Sequence, residues 1–133
     1  MPKRPLVLIV DDDDDYRAST RALLEGEGFE VVEARSGQEG LAGVRQHHPD
    51  LVVLDIIMES LTTGYSVNQA IKFVPEYKEL SHVPILMVSA VGMDPVSLYG
   101  WIGDTTPINP DAYMTKPLDV PEFLAKVREL TGK

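Results

Sequence analysis

The chain has 133 residues, with 12 Lys+Arg against 21 Asp+Glu and a formal net charge of −9, a size that suits one domain with an ordinary core. It has no cysteine, which excludes a disulfide framework, thiolate zinc sites and a cysteine nucleophile. The acidic balance argues against direct nucleic-acid binding and against anionic membranes, and no apolar run approaches the roughly 18 residues of a membrane span.

Met1-Pro2-Lys3-Arg4-Pro5 precedes an apolar run too short for a signal peptide, so a cytoplasmic protein is expected. That run, Leu6-Val7-Leu8-Ile9-Val10, is apolar at every position, as are Leu51-Val52-Val53-Leu54 and Ile85-Leu86-Met87-Val88. Such runs suit strands covered on both faces, as in a parallel sheet. Phe29-Glu30-Val31-Val32-Glu33 is a weaker strand, and Ala112-Tyr113-Met114 a short fifth.

Helical patterns fill the intervals. Residues 15–25 carry Ala18, Ala22, Leu23 and Leu24 and stop against Gly26 and Gly28. Ser36-Gly37-Gln38-Glu39 reads as a capping box opening a helix through Leu41 and Val44, stopped before Pro49. Val67, Ile71 and Val74 predict a third helix after Gly64, ended or kinked at Pro75. Asp119-Val120-Pro121-Glu122 starts a last helix with Asp at the N-cap and a buried stripe of Leu124, Val127 and Leu130. Residues 91–111 hold three Gly and three Pro, so at most two helical turns are expected at 94–102 and loop elsewhere. The alternation predicts an α/β fold: a doubly wound parallel sheet with helices on both faces.

The chemistry-bearing residues fall at strand ends. Asp11 to Asp15 follow the first strand, Asp55 closes the third, Ser89 follows the fourth and Lys116 the fifth. Ligands of open α/β sheets bind at the carboxyl ends of the strands, so these four positions point to one site. Asp11, Asp12 and Asp55 would set three carboxylates together, which requires raised pKa values or a cation. An oxygen-only ligand set suits magnesium, which keeps several waters and is often completed by phosphate. With a serine hydroxyl and a lysine, these are the parts of a phosphoryl-transfer site, and an Asp carboxylate can accept a phosphoryl group covalently. Taken singly, each piece has a plainer reading: a solvated acidic helix start, a turn aspartate, a Lys-Pro turn. His47 and His48 read as surface residues at a helix end, and Trp101 as either a packing anchor or an exposed contact residue.

Taken together, Leu8-Ile9-Val10-Asp11-Asp12-Asp13, Leu54-Asp55-Ile56-Ile57-Met58, Val88-Ser89-Ala90 and Tyr113-Met114-Thr115-Lys116-Pro117-Leu118 resemble the response-regulator receiver domain of two-component signalling, over the whole chain. The resemblance implies one domain over residues 1–133, a five-stranded flavodoxin-like sheet in the order 2-1-3-4-5, and Asp55 as phosphoacceptor. It implies Asp12 as the direct and Asp11 as the water-mediated Mg2+ ligand, with the backbone carbonyl of Ile57 completing the protein's share. It implies Ser89 as the hydroxyl that follows the phosphoryl group, Tyr113 as the switch aromatic, and a cis bond between Lys116 and Pro117. The implied donor is a sensor histidine kinase or a histidine phosphotransfer protein. The chain would catalyse only its own aspartyl phosphorylation and dephosphorylation, as a single-domain regulator or as part of a longer protein. Glu59 stands where the family usually has Pro, and residues 91–111 are longer than usual beside the usual output face. Ile57 and Val91, both apolar, flank the path of water to a phosphorylated Asp55 in this family, so slow self-hydrolysis is expected unless Glu59 activates that water. Two other readings were weighed: a haloacid dehalogenase-like phosphatase using Asp11 and Asp13, and a receiver-like binding module that is never phosphorylated.

Overall fold

The computed structural model describes residues 4–55, 82–90, 112–116 and 119–132. Strands β1 (Leu6–Val10), β2 (Glu30–Ala34), β3 (Leu51–Asp55), β4 (Ile85–Ala90) and β5 (Ala112–Lys116) form one sheet in the order β2-β1-β3-β4-β5. Every neighbouring pair is parallel. The described helices are α1 (Asp14–Gly26), α2 (Gly37–His47) and a C-terminal helix (Val120–Thr131). The doubly wound fold and the strand order are thus those expected. The helix expected after Gly64, the turns at 94–102 and Trp101 lie outside the described residues.

The central strands are apolar up to their carboxyl ends, where Asp55 and Ser89 stand, because both faces are covered. Val7 and Ile9 of β1, Leu51 and Val53 of β3, and Leu86 and Val88 of β4 join Leu24 of α1 and Phe123, Leu124 and Val127 of the C-terminal helix in one core. Burying each such side chain contributes roughly 1.5–3 kcal/mol. The alternate residues of β1 turn to the other face, where Gly40 and Gly43 of α2 lie against Val10 and Leu8. A full side chain at Gly40 or Gly43 would hold α2 further from the sheet. Phe29 precedes β2 rather than starting it, and its ring enters the core.

Each described helix starts on a side-chain cap: Ser36 and Asp119 as expected, and Asp13 for α1, which begins at Asp14 rather than at residue 15. Asp13 accepts from Tyr16 N–H at 3.0 Å, Ser36 from Glu39 N–H at 3.1 Å and Asp119 from Glu122 N–H at 3.0 Å. Each satisfies an N–H that the first helical turn leaves unpaired. The capping box differs in one respect: Glu39 reaches back to the N–H of Arg35, one residue before the cap. The inner face of α1 is partly polar. Ala18 and Ala22 are exposed, and the buried positions are Arg17, Thr20 and Leu24. In the C-terminal helix Phe123 is fully buried while Leu130 is only partly so. His47 and His48 are exposed, as expected, and no described helix is long and apolar enough to cross a membrane.

The close seat of α2 gives a stability test. A Cβ built on Gly40 would stand 3.0 Å from both Cγ atoms of Val10, a stiff side chain. Gly40→Ala gains about 1 kcal/mol of helix propensity but overpacks the contact at a cost of about 1–3 kcal/mol. Gly26→Ala meets nothing within 4 Å. In urea unfolding, Gly40→Ala should be less stable than the parent and Gly26→Ala equal or more stable. Equal gains in both variants would contradict the close α2 seat.

Candidate functional site

The strand register carries the acidic cluster. Val10 of β1 pairs with Leu54 of β3, so the next residues, Asp11 and Asp55, emerge side by side at the carboxyl edge. The chain runs from β1 to β2 on one side and later to β3 on the other, and β1/β3 is the switch point where such sheets bind ligands. One carboxylate oxygen from each of Asp11, Asp12 and Asp55 lies within 4.8 Å of the others. Asp11 and Asp55 are 3% and 7% exposed, while Asp12 faces solvent. A set of oxygens with two members buried and one open to water fits a hard divalent cation, which binds oxygen and retains water. Buried carboxylates in such proximity repel one another, and a cation among them offsets that cost.

Asp11 is held on three sides. Its N–H donates to the carbonyl of Ala34 at the end of β2 at 3.1 Å. Its Oδ1 accepts from the N–H of Asp13 at 2.9 Å. Its own carbonyl accepts from an Arg17 guanidinium nitrogen at 2.7 Å. Asp13 then caps α1, so one local chain of bonds joins the cluster to the start of that helix, whose dipole favours negative charge there.

Arg17, only 7% exposed, is a cation that the sequence reading passed over. Besides Asp11 it binds Asp14, and Glu33 of β2 at 2.9 Å. Arg21, one turn on, binds the other oxygen of Glu33 at 2.7 Å. Burial opposes the Arg17 charge, but hydrogen bonds to Asp14 and Glu33 outweigh it and hold the guanidinium above its usual pKa. Chiefly through its bond to Arg21, and against burial, Glu33 is held below the usual carboxylate value, with Arg17 adding to the effect. A signal for Arg17 was present: it is four residues after the Asp13 cap, on the face that also carries Thr20 and Leu24.

Ser89 and Lys116 reach the same edge through their strands. Asp55 pairs with Val88, Ser89 with Thr115, and Ala90 with Lys116. Tyr113 lies in β5 opposite Met87. Ile57, Glu59, Val91 and Pro117 lie outside the described residues, and so do the readings placed on them.

The sequence profile of the response regulator receiver domain matches residues 7–128. The polar-differentiation response regulator DivK of Brucella ovis is 33% identical over 129 residues, covering 95% of this chain and 95% of that protein. Among solved structures, a CheY-like response regulator receiver domain protein from Methanospirillum hungatei is 28% identical with a TM-score of 0.77, over 98% of this chain and 95% of that one. The receiver domain of Francisella response regulator 1452 is 25% identical with a TM-score of 0.78, over 97% and 98%. None of these favours a phosphatase or a module that is never phosphorylated.

The Arg17 network yields a paired test. Arg17→Met removes the donor to a buried carbonyl and should cost about 1–3 kcal/mol of stability in denaturant unfolding. Glu33→Gln should destabilise at neutral pH. A carboxylate whose folded pKa is depressed stabilises above its unfolded value and loses that contribution as pH falls through the folded one. The gap between Glu33→Gln and the parent should therefore close below the ordinary value of 4.5. A gap that persists unchanged at pH 3 would show that Glu33 acts without its charge.

Proposed function

The chain belongs to the response regulator receiver domain family, and on that premise we propose that Asp55 takes a phosphoryl group from a histidine kinase or histidine phosphotransfer protein and thereby switches the protein's output surface. The observation that carries this reading is the buried carboxylate of Asp55 beside Asp11 and Asp12 at the switch point of the sheet. Residues 1–133 form one receiver domain in this reading, working in the cytoplasm as a signalling switch rather than as an enzyme on a separate substrate.

The roles follow from the chemistry of the side chains. An oxygen of the Asp55 carboxylate attacks phosphorus as the bond to the donor's imidazole nitrogen breaks, and the nitrogen keeps that electron pair. Asp11, Asp12, Asp55 and the carbonyl of Ile57 would hold Mg2+, which when bound neutralises charge on the phosphoryl oxygens. Lys116 supplies a fixed positive charge to the same oxygens, and the Ser89 hydroxyl donates to one of them, drawing its strand end inward. Tyr113 follows that movement as the switch aromatic. Arg17 acts at one remove, by fixing the backbone from which the Asp11 carboxylate projects.

Acetyl phosphate with magnesium should add one phosphoryl group to the parent protein, and Asp55→Asn should abolish it, because an amide is a poor nucleophile. Intact-mass spectrometry reads both; a label retained in Asp55→Asn would move the acceptor elsewhere. Magnesium alone should raise the melting temperature at fixed ionic strength, with a gain of about 2.7 kcal/mol at 100-fold excess over its dissociation constant. That gain should shrink in Asp12→Asn. An unchanged melting temperature in the parent would remove the metal from this reading.

A further inference from the structure

The edge strand β2 holds Asp11 through two neighbouring residues. The carbonyl of Ala34 accepts the Asp11 N–H at 3.1 Å. Glu33, one residue earlier, reaches the other end of Asp11 by way of Arg17. Its Oε1 accepts from Arg17 Nε at 2.9 Å, and Arg17 Nη1 donates to the Asp11 carbonyl at 2.7 Å. The two holds differ in what they require. The first is a backbone bond that does not depend on the side chain at 34. The second requires a carboxylate at 33 and a guanidinium at 17, because a guanidinium is a planar fork whose donors point in fixed directions. Glu33 takes Nε and Asp14 takes Nη2, which sets the plane and aims Nη1 at the carbonyl. Of these two anchors Glu33 is the firmer: its side chain is 26% exposed against 76% for Asp14, and exposed ion pairs contribute little. Arg21 in turn steadies Glu33, donating to its Oε2 at 2.7 Å.

We propose that Glu33 is a positioning residue of the phosphoryl-transfer site: through Arg17 it fixes the backbone of Asp11 and thereby raises the affinity of the Asp11, Asp12 and Asp55 cluster for Mg2+. Glu33 itself stands outside that cluster. Its role presupposes the Mg2+-dependent phosphorylation of Asp55. Magnesium accepts little departure from octahedral geometry, so a carboxylate that wanders with its backbone binds it less well. Position and charge predict different signs. By charge alone, Glu33→Gln weakens Mg2+ binding and Arg17→Met tightens it. The double variant, whose net charge equals the parent's, then binds as the parent does. Loss of position weakens all three.

The test is calorimetric titration of magnesium into the parent, the two single variants and the double variant, at fixed ionic strength and well below their melting temperatures. Leu130→Ala, at a partly buried position of the C-terminal helix, controls for lost stability. The dissociation constant should rise in all three variants and by about tenfold in the double variant, the lower end of the 10–100-fold typical when a group that orients a metal ligand is removed. Leu130→Ala should bind as the parent does. Labelling of Asp55 by acetyl phosphate, followed by intact mass, should slow in the double variant at low magnesium and recover at saturating magnesium. A double variant that binds magnesium as tightly as the parent overturns the role of Glu33, and so does tighter binding in Arg17→Met. An equal loss in Leu130→Ala, or labelling that stays slow at saturating magnesium, overturns it as well. A parent that neither binds magnesium nor takes a label sinks this role together with the function it presupposes. A labelled, magnesium-binding parent with an indifferent double variant sinks this role alone.

Discussion

Like charges brought together govern this structure. Asp11 and Asp55 are both buried, with carboxylate oxygens within 4.8 Å of each other and of Asp12. At such range and an effective dielectric near 20, two buried unit charges of like sign repel by about 3–4 kcal/mol, which is not small beside the roughly 5–15 kcal/mol that holds a domain folded. The arrangement persists because the sheet leaves no choice. Val10 and Leu54 are paired in a ladder covered on both faces, and the residues that follow them emerge together. Folding energy from the apolar strands thus maintains a concentration of negative charge that a cation can relieve.

The local structure around the cluster is arranged to bear that charge. Backbone N–H groups and the start of α1 face the acidic edge, and Arg17 places a buried positive charge on the carbonyl of Asp11. Arg17 does not cancel the carboxylates, because its remaining donors are taken by Asp14 and Glu33. It ties β1, α1 and β2 to one another, so that the Asp11 side chain projects from a fixed backbone. The support lies behind the carboxylates, whose oxygens converge at the carboxyl edge of the sheet.

The opposite face solves a different problem. Here α2 approaches β1 over Gly40 and Gly43, against Val10 and Leu8. Val10 is the residue immediately before Asp11, so the packing of α2 bears on the strand end from which the cluster projects. Core packing and site geometry are therefore coupled through one short strand, whose residues from Val7 to Val10 are all buried.

Much of this was legible in the chain itself. Unbroken apolar runs marked the central strands, and Ser36 and Asp119 marked helix starts, because strand burial and helix capping are local rules that act over a few residues. The acidic residues at the ends of the first and third runs were legible for the same reason. The weaker strand, Glu30–Ala34, begins after Phe29, whose N–H donates to the carbonyl of Leu24 at the end of α1 rather than to the sheet. What the sequence could not decide was which face of α1 turns inward. The helix buries Arg17 and Thr20 and exposes Ala18 and Ala22. A polar residue is buried only where partners await it, and Glu33 and the carbonyl of Asp11 come from other strands. The sequence alone therefore determined the strands, their caps and the carboxylates at their ends. Only the tertiary structure decided which charges are paired, because pairing depends on register between segments that the chain brings together from a distance.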